Sequence, residues 1–155
     1  MKNSIMTIIA GILLCSASFA QTANQDAIKK TCLAETQAYY NRDYNSWASY
    51  HVQSADEQLT WNKPDSSFGF QSGWNEISKG MEDWFKTAKK DNSKISSDNY
   101  TIVIRGNMAF AGYSANSVDA DGLIKRSREN RTLLKIDNQW KILAVQAYIE
   151  SPRKK

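Results

Sequence analysis

Between Gly122 and Ser151 the chain carries two long β-rich runs separated by Asp137-Asn138, a pair suited to the tight turn of a hairpin. In the second run one alternate set is Trp140, Ile142, Ala144, Gln146 and Tyr148, and the other is Leu143, Val145, Ala147 and Ile149. Both sets are largely apolar, which predicts a strand with no water-facing side over most of its length. The chain's own helices would cover one face. The other calls for a second sheet or a second copy of the protein.

Upstream the period changes. Ile28, Cys32, Leu33, Tyr39 and Tyr40 recur at helical spacing and predict a helix over Asp26 to Tyr40. Glu35 shares that stripe, so it is either a helix-edge carboxylate paired with a lysine or arginine, or a carboxylate facing a pocket. Asp43 is the expected N-cap of a second helix, Tyr44 to His51, with Tyr44, Trp47, Ala48 and His51 on one face. His51 is the chain's one histidine, read as a hydrogen-bonded core residue or a catalyst. Leu59-Thr60-Trp61 reads as a short strand. Ser66 to Gly73, with Phe68 and Phe70 among serines and glycines, reads as a loop, either a flap over a cavity or a segment whose rings tuck into the core. A third helix, Trp74 to Lys89, has Ile77, Met81, Trp84, Phe85 and Ala88 on one face. Strands follow over Tyr100 to Arg105 and Met108 to Val118, and the order predicts helices gathered on one face of an antiparallel sheet, an α+β domain.

Composition adds an address. Lys2, the apolar run Ile5 to Leu14 and Ser18-Phe19-Ala20 have the layout of a secretory signal cleaved after Ala20, leaving residues 21–155 as a single domain in the periplasm or outside the cell. The run is too short to span a bilayer comfortably. Cleavage removes Lys2 and Cys15, lowering the net charge from +4 to +3 and leaving Cys32 without a disulfide partner. So mild a charge does not mark a nucleic-acid binder. One histidine and one remaining cysteine, with no ligand-like spacing of carboxylates, predict no metal site, and no cofactor is expected.

Several patterns then carry a likeness: Asn41-Arg42-Asp43 before Trp47-Ala48; Leu59-Thr60-Trp61; Gly73 with Ile77; Asn107-Met108-Ala109-Phe110; and Arg131-Thr132 leading to Lys135 through Ile142. In order and spacing they resemble the nuclear transport factor 2-like superfamily, nearest its SnoaL-like and ketosteroid-isomerase-like small exported members. The resemblance covers nearly all of the chain after the signal. It implies a strongly curved antiparallel sheet wrapped on three helices, a cystatin-like roll with a pocket at its wide end. It also implies a homodimer through the outer sheet face. This fold hosts isomerases, cyclases, dehydratases, hydrolases and non-catalytic binders, so function does not follow from it. The isomerase set is not kept. The oxyanion tyrosine's place is taken by Glu35, the proton-transferring aspartate's by Lys63, and the second oxyanion acid's by Thr132.

In the strand Lys125 to Ile136 the set Arg126, Arg128, Asn130, Thr132, Leu134, Ile136 passes from polar to apolar, as expected where a core-facing side opens into a cavity mouth. The residues expected to line the pocket are Tyr39, Trp61, Lys63, Trp84, Arg128, Asn130, Thr132 and Tyr148; Arg128 and Asn130 either grip a carboxylate or carbonyl at its mouth or are solvated charges on an exposed strand end. The leading expectation is a domain that binds a small apolar or carbonyl- or carboxylate-bearing molecule. The alternatives are a SnoaL-like enzyme using Glu35 or His51 as acid or base, and a protein-interaction domain.

Overall fold

The structure, a computed structural model, describes residues 3–63, 67–91, 93–119, 121–150 and 153–154, with side chains described from Gln21 to Glu150 within those ranges. The expected signal peptide and its cleavage point lie outside the residues whose side chains are described. Among the described residues there are three helices, α1 (Asn3–Asn41), α2 (Tyr44–Ser49) and α3 (Trp74–Thr87). The strands are β1 (Gln58–Asn62), β2 (Phe68–Ser72), β3 (Lys94–Arg105), β4 (Met108–Val118), β5 (Leu123–Ile136), β6 (Gln139–Ile149) and β7 (Arg153–Lys154). No described helix is long and apolar enough to cross a membrane.

The strands form one open, curved sheet in the order β2-β1-β6-β5-β4-β3, with β7 paired to the start of β5, and the architecture is α+β as expected. Pairing is antiparallel except between β1 and β6, which run parallel. Asp137 and Asn138 both take positive φ in the β5–β6 turn, the conformation a type I′ hairpin requires. The core lies between the inner sheet face and the helices. Ile28 and Cys32 of α1, Trp47 of α2, and Ile77, Met81 and Phe85 of α3 pack there with Ala109, Ala111, Leu133 and Ile142.

Two expectations are corrected. The segment read as a loop around Phe68 and Phe70 is strand β2, paired in register with β1, and the first residue of the expected loop, Ser66, lies outside the described residues. The reason is a close approach: a Cβ at Gly69 would stand 2.0 Å from Trp61 Cε2, so the glycine that suggested a flexible loop instead makes room for the indole. The two apolar sets of β6 have an internal cause. The register with β5 slips between Thr132 and Leu133, where Thr132 opposes Ala144 but Leu133 opposes Ile142. The bulge at Leu143 transfers the inward face from Trp140 and Ile142 to Val145, so each set is buried for part of the strand.

Candidate functional site

The stripe on α1 carries Ile28, Cys32, Glu35 and Tyr39 across the sheet. Ile28 and Cys32 are fully buried, and burial pushes the Cys32 thiol up to about 12, which leaves it a packed apolar group. One turn further on, the same face enters a cavity of about 550 Å³. Its walls are largely aromatic and aliphatic: Tyr39, Trp84 and Met81 from the helices, Leu59 and Trp61 from β1, Ala115 from β4, and Val145 and Ala147 from β6. The rings of Tyr39 and Trp84 stack with centroids 4.7 Å apart.

The cavity floor is a buried chain of charges. Glu35 accepts a hydrogen bond from Trp47 Nε1 at 2.8 Å through Oε1 and faces Arg131 at 3.3 Å through Oε2. Arg131 donates its other terminal nitrogen to Glu129 at 2.6 Å, and Glu129 accepts from Ser127 at 2.5 Å. Behind Trp47, His51 Nδ1 lies 2.5 Å from Glu57 Oε1, while its Nε2 stands 3.5 Å from Glu35, within ion-pair range but without an aligned hydrogen bond. The backbone of Gln53 donates to the second oxygen of Glu57. Parallel bonding of Tyr50 and Val52 to Ile142 fixes this turn against β6.

Glu35, His51 and Arg131 are all desolvated, and pairing decides their charge. Burial pushes the Glu35 carboxyl up, but Arg131, His51 and Trp47 together outweigh it and hold Glu35 at about 2. Burial pulls the His51 imidazolium down, and the two carboxylates beside it more than compensate, leaving its pKa raised. Arg131 is held firmly protonated: burial opposes the charge, and its acidic surroundings override it.

The expected site residues divide. Tyr39, Trp61, Trp84 and Glu35 line the cavity. His51 does not: it is sealed behind Trp47, with no exposed side-chain surface. Lys63 is exposed outside the cavity, its backbone closing the β1–β2 connection onto Ser67. Arg128, Asn130, Thr132 and Tyr148 lie on the outer sheet face, where Arg128 bonds Ser114 at 2.7 Å and pairs across from Tyr148. The inward set of β5 is instead Lys125, Ser127, Glu129, Arg131 and Leu133. A change toward apolar residues along one set misidentified the face, because Glu129 and Arg131 neutralise one another two positions apart. The usable signal was the carboxylate on the α1 stripe, which required a buried cation opposite it.

Arg42, Asp91 and Lys125, also unassigned from sequence, line the cavity where α1, the α3–β3 connection and β5 converge. Arg42 lies over the Trp84 ring at 3.8 Å and bonds the carbonyls of Tyr39 and Lys89. Among the described residues no group of three or more His, Cys, Asp or Glu is placed to hold a metal ion.

No family model matches the sequence, and no curated protein matches it. Solved structures do. The chain is similar to a cystatin-like protein of unknown function from Nostoc punctiforme, with TM-score 0.65 and 15% identity, covering 81% of this chain and 90% of that one. It is similar to a candidate scytalone dehydratase from Novosphingobium aromaticivorans, with TM-score 0.66 and 14% identity over 89% of this chain and 91% of the other. A nuclear transport factor 2-like protein of unknown function from Shewanella oneidensis matches with TM-score 0.62 and 15% identity, over 81% and 98%. The fold of this chain is therefore the nuclear transport factor 2-like, cystatin-like fold.

Proposed function

We propose that this domain binds a small, largely apolar molecule in the cavity and performs no acid–base chemistry on it. One observation carries the reading: the candidate proton-transfer groups are already committed to the protein. Glu35 has both oxygens engaged and is held ionised at about 2, far below a useful general base near neutrality. His51 has no path to the cavity. What remains is an apolar volume within the usual range of roughly 300–1,000 Å³ for ligand sites, walled by rings that gain most from a flat apolar guest. A SnoaL-like acid–base role would need Glu35 released from Arg131.

A titration with the neutral dye N-phenylnaphthylamine tests this. One dye binds per chain, and Ala115→Phe, which fills the cavity, abolishes binding while the protein stays folded. Dye binding that survives the filling, or none in the wild type, overturns the reading.

Two further parts belong to the proposal. Export with cleavage after Ala20 is supported by the layout of residues 1–20. A homodimer through the outer sheet face is supported by its exposed apolar residues, among them Val103, Met108 and Phe110, rather than by the two sets of β6. Phe110 sits in one cross-strand row with Val103, Thr132 and Ala144.

A further inference from the structure

The floor of the cavity leaves its charges spent, and the rim does not. Glu35, Arg131 and Glu129 satisfy one another at the bottom. At the rim, Asp91 takes its first oxygen onto the backbone and hydroxyl of Ser93, and its second stands 3.5 Å from Lys125 Nζ. That pair is loose, and the Lys125 side chain is 40% exposed. Arg42 adds a second cation to the lining. Its bond to the Lys89 carbonyl, and that of the Asp91 backbone to Tyr40, gather Arg42, Asp91 and Lys125 at the end of α1. The rim thus holds two cations, Lys125 and Arg42, against one carboxylate, beside aromatic walls.

We infer that the ligand is an amphipathic organic acid, its apolar ring system between Trp61 and Trp84 and its anionic group at the rim against Lys125. This rests on the binding reading above and adds the ligand's class and orientation. A carboxylate or sulfonate there keeps one side in water and needs no buried counter-charge, because Lys125 is partly hydrated and only loosely paired. An anion seated at the floor would instead meet Glu35 and Glu129. A cationic headgroup would face the two rim cations. Both alternatives are disfavoured by like charge.

The test compares naphthylacetate with naphthylethanol, matched in ring and length, by isothermal titration at neutral pH and low salt. The acid binds about tenfold tighter than the alcohol, as one charge-assisted contact allows. The variant Lys125→Gln removes that preference, and Asp91→Asn strengthens it. Added salt weakens the acid and leaves the alcohol unmoved. Equal affinity for acid and alcohol in the wild type overturns this inference while leaving the binding reading standing. A preference for the acid that survives Lys125→Gln also overturns it. Binding of neither compound counts against both, and the neutral-dye titration then separates them: dye bound in the cavity leaves only the ligand class wrong.

Discussion

Glu35 of α1 and Arg131 of β5 lie 96 residues apart along the chain and come together only in the folded sheet, where each is the other's buried counter-charge. Removing one member of such a pair leaves an uncompensated buried ion. Arg131→Met is therefore expected to lower unfolding free energy by about 3–5 kcal/mol, measured by urea denaturation. Loss below about 1 kcal/mol would mean that the pair is hydrated and not structural.

The same network sets a pH window. The folded pKa of Glu35 is depressed from 4.5 to about 2, so its contribution is complete above 4.5 and is lost as pH falls toward 2. That amounts to something on the order of 3 kcal/mol. His51 behaves oppositely. Its folded value is raised above 6.5, so its contribution is complete below 6.5 and is lost as pH rises through that folded value. The melting temperature should therefore peak in mildly acidic solution and fall on both sides. In His51→Gln the decline on the alkaline side should shrink, and a wild-type profile still rising above neutrality would contradict the assignment.

At the scale of elements, helices were the most legible part of the chain. The N-cap at Asp43 holds as read, its carboxylate accepting from the backbone of Ser46 at 3.0 Å. Asp43→Ala should cost about 1 kcal/mol by thermal or urea unfolding, because its carboxylate satisfies a backbone N–H of the first turn that has no partner within the helix. Strand β2 was not legible. Its sequence, serine- and glycine-rich with two exposed phenylalanines, lacks the alternation of a half-buried strand, and only its register with β1 explains Gly69. Gly69→Ala is expected to displace the Trp61 indole, lower stability by about 1–3 kcal/mol and weaken dye binding. Unchanged stability and dye affinity would show that the indole has room to move. The β6 bulge was likewise hidden: two apolar sets on one strand read as two buried faces, and a one-residue slip produces the same pattern.

At the scale of the whole molecule, the α+β order of elements and the aromatic wall of Tyr39, Trp61 and Trp84 were recoverable from sequence, while the inner face of β5, and with it that strand's part of the cavity lining, was not. The proposed dimer would bury the apolar residues that the outer face exposes, among them Val103, Met108 and Phe110. Sedimentation should find a dimer, and Phe110→Lys, a change at an exposed position, should yield a folded monomer. A monomeric wild type would remove the dimer from the account. The central claim is that the cavity is occupied by a small molecule, and native mass spectrometry of the protein purified from the envelope of its own host tests it most directly. The account predicts a fixed extra mass, one per chain, that is lost in Ala115→Phe; bare protein in both forms, with the dye also failing to bind, would contradict it.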